Sequence, residues 1–445
     1  MKNRIRRATL LAVLLCPALS FAAHPAERPP VELTLQECVA LALRNNLAVL
    51  LAKAGSASAR GKALQSAAEL LPRFTGSLMQ MRTFAEDLPA MGFGGFGKGF
   101  PETIGPWNTF DARVRLVQEI FNLPSALRLK SADADERAAG MEEALAAEQV
   151  VAAAVLAYVE LFRSRQAIAA AQADVELATS LRQLAEDKKG AGTAAGIDVA
   201  RAKTREAERR LALLEARNVA QEAEVRLQRV AGLPLDRGVV LKDEPGFAPG
   251  EPFRVDEAVA SAQGGRWEMR IATQRLEAAR SQWRAEQFMR APSVVLSGDV
   301  GLSGLIPDYR DRTTGSVGAA LQLPLFTGRA IEGRVREADG RRAAAEARLE
   351  DLRARIEEDV RLALIDLSAG VERVGTATEV ERLAEDELAM ARDRFAAGWA
   401  DNVELLDSQA ALTHARDTRV AALARFQVAR INFALAMGQM GGFRF

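Results

Sequence analysis

Apolar and polar positions alternate along three short stretches of the chain and recur at helical spacing along most of the rest. Phe110, Ala112, Val114 and Leu116 face one way while Asp111, Arg113 and Arg115 face the other. Val294, Leu296, Val300 and Leu302 alternate with Ser293, Ser297 and Asp299, and Val317, Ala319, Leu321 and Leu323 with Ser316, Gly318 and Gln322. A period of two predicts strands at about 109–118, 293–302 and 314–323. A fourth segment, about 74–82, alternates less cleanly and completes a second hairpin. Segments of about ten residues with one apolar and one polar face, joined as hairpins, are what the wall of a transmembrane barrel requires. A soluble antiparallel sheet would carry the same pattern.

Helical periodicity then runs unbroken from about 124 to 189 and from about 329 to 395, each roughly 100 Å of rod at about 1.5 Å per residue. No globular core needs helices of that length. The helices before each hairpin (about 34–71 and 255–290) and after each rod (about 198–230 and 404–436) are each about half as long, so two of them stacked end to end match one rod. Along the second rod Leu349, Leu352, Ile356, Val360, Ala363, Leu367, Val371 and Val374 step by three and four in an eleven-residue period. That period gives a slight right-handed supercoil, suited to nearly straight helices lining a wide cylinder. A two-stranded coiled coil is the other reading of such a stripe.

The two halves are one unit used twice. Leu35–Val39 matches Val255–Val259, and Leu71-Pro72 matches Ala291-Pro292; Gln118–Phe121 pairs with Leu323–Phe326, Gly192 with Gly398, and Ala231-Gly232 with Met437-Gly438. The repeats span 31–234 and 254–445, with the Pro/Gly-rich segment 235–253 reading as a linker. The first half carries the longer connection between its strands, which includes the Gly/Phe-rich segment 91–100.

Composition narrows the function. Lysine plus arginine total 59 and aspartate plus glutamate 59, so the net basic field of a nucleic-acid binder is absent. Two histidines and two cysteines in 445 residues leave little room for a His/Cys metal cluster, a disulfide framework or histidine catalysis. Neither an enzyme nor a cofactor is expected. Lys2, Arg4, Arg6 and Arg7 precede an apolar run to Phe21 and small residues at Ala22 and Ala23, which reads as a secretory signal peptide over 1–22. Beyond it no run of 18 continuous apolar residues exists, so any membrane crossing is expected from strands.

The duplicated unit, the segment Leu-Thr-Leu-Gln-Glu-Cys-Val-Ala-Leu-Ala-Leu-Arg-Asn-Asn at 33–46, Leu-Pro-Leu-Phe-Thr-Gly at 323–328, and two turn signatures carry a family resemblance. Those signatures are Gly192-Thr-Ala-Ala-Gly-Ile-Asp198-Val199 and Gly398-Trp-Ala-Asp-Asn-Val-Glu404-Leu405. From about Val31 to its end the chain resembles the TolC-like outer-membrane efflux and secretion channels of Gram-negative bacteria. The resemblance implies a homotrimer in which four strands per chain make a twelve-stranded β-barrel, continued by a periplasmic α-helical barrel. It also implies residence in outer-membrane lipid and a periplasmic adaptor and inner-membrane pump as partners, docking near 190–198 and 396–404. Strand counting reaches part of this alone: four strands cannot close a barrel, and open edges are not tolerated in a bilayer. A dimer and a trimer both satisfy that condition, and the choice of three comes from the resemblance.

In that family acidic side chains just after the glycine turn narrow the periplasmic entrance, helped by an aromatic and a basic residue. Alignment on the glycines places Asp198, Glu404 and Asp407 at the acidic positions and Phe395 at the aromatic one, with Gly192 and Gly398 as the tip turns; Ala400 stands where the family has its basic partner. Acids in a helix's first turn are also favourable for the helix itself, without any gate. The near-match to a phosphate loop at Gly92–Gly99 lacks the Ser/Thr that would hold a metal, and Cys38 is expected to fill a small apolar helix position. A passive outer-membrane exit duct is the leading function. A periplasmic coiled-coil adaptor or scaffold without a pore is the alternative, and a hydrolase built on acidic pairs would need a confined pocket that solvated helix faces do not make.

Overall fold

The computed structural model describes residues 30–84, 86–87, 103–104, 106–192, 195–248, 254–306, 312–397, 399 and 402–443. The expected leader at 1–22, the Gly/Phe-rich segment 91–100 with its phosphate-loop near-match, and Gly398 and Ala400 lie outside the described residues.

The first half runs β1 (Val31–Leu33), α1 (Leu35–Asn45), α2 (Leu47–Ala68), β2 (Arg73–Thr83), a two-residue pair β3 (Glu86–Asp87) and β4 (Thr103–Ile104), β5 (Trp107–Phe121), α3 (Leu123–Gly190) and α4 (Gly196–Ala231). After β6 (Val239–Leu241) the order returns as α5 (Val255–Gly265), α6 (Trp267–Gln287), β7 (Ser293–Gly304), β8 (Arg312–Gln322), α7 (Ala330–Ala396) and α8 (Asn402–Ala436).

The first helix of each half, expected as one rod, is two. Asn46 holds an extended backbone between α1 and α2 and caps α2, its Oδ1 accepting from the Ala48 amide at 2.9 Å. Arg266 breaks α5 from α6 with a similarly extended backbone, without a side-chain cap. The break has a packing reason repeated in both halves. Gly232, which follows α4, has φ +67°, and a Cβ there would lie 2.5 Å from that of Asn45; Gly438, which follows α8, has φ +68° against the backbone of Arg266. The left-handed turn ending the last helix of each unit thus seats in the notch between its first two, and only glycine fits.

Two findings add to the reading of the linker and of the apolar runs. The stretch 235–253, expected to be only a connection, contains β6, which pairs in parallel with β1 through Val31–Val239, Glu32–Val240 and Leu33–Leu241. The pair is clasped to the middle of α3. Buried Tyr158 accepts from the Asp243 amide at 3.0 Å and lies within 3.3 Å of the Leu33 carbonyl oxygen, while the Asp243 carboxylate accepts from the Leu35 amide at 2.7 Å. One helix, α3, does contain an 18-residue window apolar enough by composition to cross a membrane. Half of that window is buried inside the chain, and its valines, alanines, Tyr158 and Leu161 form the largest core cluster with α1, α4 and Ile431 of α8. This mid-rod core also takes Cys38, whose thiol burial pushes up to about 12.

The rods are lined as their lengths require. Toward its start α3 packs on α2 and α6, with Ser131 Oγ donating to the Ala278 carbonyl at 2.9 Å; toward its end it packs on α4 and α8. The eleven-residue stripe of α7 is its inward face: Leu349, Ile356, Val360, Ala363 and Val374 are buried and Leu352, Leu367 and Val371 half-buried.

The strands form one antiparallel sheet in the order β2-β5-β7-β8, with β2 and β8 at its edges. Gly301 in β7 sits where any side chain would collide, its Cβ falling 2.5 Å from the Ala112 oxygen and 2.9 Å from Arg113 Cα, whereas nothing lies within 4 Å of the corresponding point on Gly318. Gly301→Ala is therefore expected to weaken the β5–β7 pairing by about 1–3 kcal/mol and Gly318→Ala to leave it intact, read as the midpoint of thermal unfolding of the purified protein in detergent. Equal midpoints for the two variants would contradict this packing.

Candidate functional site

One face of the sheet is mainly apolar and the other mainly polar. Register places Phe74, Leu78, Val114, Val300, Leu302 and Val317 on one face, and all are exposed, Val317 by 82%. An apolar patch this extensive on a single chain marks a surface made for lipid or protein. On the opposite face Arg113 lies at the centre of a charged lattice. Its guanidinium pairs with Asp111 at 2.9 Å and with Asp299 of β7, and reaches Ser303 and Thr314 at 3.4 and 3.3 Å. Ser303 donates in turn to Asp111 at 2.9 Å. The lattice therefore ties β5, β7 and β8 together through side chains, beyond the backbone ladder.

At the far end of the rods the chain turns twice. Gly192, with φ +74°, ends α3 in a backbone conformation that side chains rarely adopt. Asp198 caps α4, its carboxylate accepting from the Ala195 amide at 3.1 Å. Phe395 is buried between the rods among Leu177, Leu181, Leu388 and Leu405. Glu404 pairs with Arg394 of α7, Nε to Oε1, at 3.1 Å, and Asp407 is exposed on the same helix face.

A basic contribution to the tips exists although Ala400 supplies none. The Lys188 ammonium lies 3.7 Å from the centroid of the Phe395 ring and donates to the Phe395 carbonyl oxygen, which ties the end of α3 to the end of α7. Lys188 and Arg394 occupy equivalent positions in the two repeats, each ahead of a turn glycine by the same spacing as its counterpart. That symmetry is visible in the sequence and would have marked both residues. Ile197, Trp399 and Val403 are also exposed at the tips, Trp399 by 81%.

Residues 258–439 match the family model described as outer membrane efflux protein. The outer membrane protein TolC of Escherichia coli is 20% identical over 373 residues, covering 79% of this chain and 75% of that protein. Two solved structures share the fold. VceC of Vibrio cholerae superposes with a TM-score of 0.79 at 21% identity, over 91% of this chain and 96% of its own. The Campylobacter jejuni CmeC outer membrane channel does so with 0.80 at 17% identity, over 91% and 85%. The chain is similar to the TolC-like outer membrane efflux channels, in sequence over part of its length and in fold over nearly all of it.

Within the chain the paired helices are joined unequally. Arg182 of α3 meets Glu206 of α4 at 2.9 Å, Lys203 meets Glu186 at 3.1 Å, and Thr179 donates to Glu206 at 2.9 Å. The seam between α3 and α8 is different. Asp174 of α3, only 5% exposed, faces Thr413 and Arg416 of α8, the latter at 3.7 Å, with Arg209 of α4 and Asp417 of α8 nearby. Arg416 is shared with Glu385 and Glu381 of α7. Fully buried Gln409, one turn below Thr413, has both side-chain amide atoms without a hydrogen bond. A seam of buried polar groups incompletely paired holds less tightly than a satisfied one.

Burial raises the Asp174 carboxyl above the ordinary aspartate range, against the opposing pull of Thr413, Arg209 and Arg416. With the folded pKa above the unfolded one, its stabilisation is complete below the unfolded value and is lost as pH rises through the folded value. The α3–α8 seam should therefore tighten in acid. Asp174→Asn is expected to raise the melting midpoint at pH 7.5 by roughly 2 °C or more and to flatten the rise that the wild type shows on acidification. A variant with an unchanged pH profile would remove Asp174 from this role.

Proposed function

We propose that this protein is the outer-membrane exit duct of a tripartite export system, passive in itself and supplied by an inner-membrane pump through a periplasmic adaptor. One observation carries the reading: a four-stranded sheet with an exposed apolar face and two open edges stands at the end of rods about 100 Å long. Every strand is antiparallel to its neighbour, so β8 also runs antiparallel to β2. A second copy can add its β2 to β8 in the same pattern, and three copies close a cylinder of twelve strands with no edge left in lipid. The family supports three. The apolar face then meets lipid and the Arg113 lattice lines the lumen, while the helices continue the wall into the periplasm. A periplasmic adaptor without a pore would have no use for such an apolar face.

The tips near 190–198 and 396–404 would meet the adaptor, presenting Ile197, Trp399 and Val403 as the apolar anchors. Glu404 and Asp407 of three copies set six carboxylates around the entrance, a field that attracts cations. Lys188 on Phe395 and Arg394 on Glu404 support a closed entrance that opens when the tips splay.

Purified protein is expected to require detergent, to sediment as a trimer, and to conduct ions in planar bilayers; extraction as a water-soluble monomer would overturn the reading. Glu404→Gln with Asp407→Gln is expected to abolish block of that conductance by divalent cations added on the periplasmic side. Block at unchanged concentration would mean that the acids serve only their helix.

A further inference from the structure

The lumenal face of the sheet carries four arginines, Arg73 on β2, Arg113 and Arg115 on β5, and Arg312 on β8, against Asp111, Asp299 and Glu119. The acids are occupied. Asp111 and Asp299 are both bound by Arg113, Asp299 also receives the Ser316 hydroxyl, and Glu119 accepts from the Asn122 amide at 2.6 Å. Asp299 stands directly opposite Arg115 in the register, yet its carboxylate turns to Arg113. Arg115 remains within the field of Asp111 and Asp299 without forming an ion pair with either, and its side chain is exposed.

Arg73 is exposed too and sits opposite Val117, while Arg115 sits opposite Thr75. The two are diagonal neighbours on one face of the β2–β5 pair, with Cβ atoms about 7–8 Å apart. On β7 and β8 the residues in register with Val117 are Ser297 and Gly318, which carry no charge, and Glu119 of β5, the other diagonal neighbour of Arg73, accepts from Asn122 and forms no ion pair with Arg73. Charges left outside ion pairs on the wall of a water-filled passage bias which ions cross it.

We propose that Arg73 and Arg115 form a basic collar in the strand cylinder that favours the passage of anionic solutes. The proposal rests on the duct reading above. Three copies would place six guanidiniums around the passage near the join between barrel and rods, opposite in sign to the acidic entrance at the tips. Arg113 stands apart from the collar, because its charge is spent on Asp111 and Asp299 and it braces the wall.

The test is the reversal potential of the purified trimer in a planar bilayer under a potassium chloride gradient. Arg73→Gln with Arg115→Gln is expected to lower the chloride-to-potassium permeability ratio by about twofold or more, and Arg73→Lys with Arg115→Lys to keep it at the wild-type value. Arg82, on the opposite face in register with Asn108, serves as the control, and Arg82→Gln should change nothing. A conducting glutamine double variant with the wild-type ratio would overturn the collar and leave the duct intact. If the lysine variant lost selectivity as fully as the glutamine one, charge would not be the cause and the proposal would fail. A wild-type trimer that did not conduct at all would overturn the collar together with the reading beneath it.

Discussion

The constraint on which the rest depends is that a sheet of four strands has two edges, and edges cannot remain open in hydrocarbon. Each unpaired amide or carbonyl there costs several kcal/mol, more than any side-chain contact in this chain returns. Strands β2 and β8 are those edges, and the apolar face between them is exposed from Phe74 to Val317. On the reading proposed above, the single chain is an incomplete object that further copies of itself complete. The Arg113 lattice across β5, β7 and β8 holds the strands as one panel, so that what must be added is a copy of the panel rather than a stray strand.

On the same reading the rods form a wall only one helix thick, which must be kept from collapsing. A duplicated unit does this by stacking two shorter helices against each long one. The stacking leaves a notch between consecutive helices, and the left-handed glycine turns at Gly232 and Gly438 fill it in both halves. The clasp of β1 and β6 on Tyr158 then fastens the chain's entry and the link between repeats to the middle of α3. Two clusters of buried apolar side chains gather at this level and along the α7 stripe.

Charge is distributed along the long axis to different ends. At the tips basic residues from α3 and α7 engage Phe395 and Glu404. Along the rods, ion pairs stitch α3 to α4, while the α3–α8 seam keeps buried polar groups that are not fully paired. At the sheet Asp111 and Asp299 share Arg113, and Arg73 and Arg115 stand outside its ion pairs. The seam with unpaired buried polar groups lies between the two helical hairpins.

Period and spacing alone determined a great deal here. Alternation fixed which residues of β5, β7 and β8 share a face, because side chains on a strand have only two directions. The α7 stripe was legible because burial follows the helical period, and the duplication because matched motifs recur at constant offsets. What only the tertiary structure decided depends on residues distant in sequence. Nothing local marks Val239–Leu241 as a strand, since its partner, Val31–Leu33, lies in the other half of the chain's length. The apolar window of α3 is core rather than membrane span because α1, α4 and α8 cover it. That Lys188 would meet Phe395, that Asp299 would turn from Arg115 to Arg113, and that Asp174 would be buried at a seam were all settled by which helices and strands became neighbours. A pairwise charge or a burial cost acts through distance in space, and sequence spacing specifies that distance only within a single helix or strand.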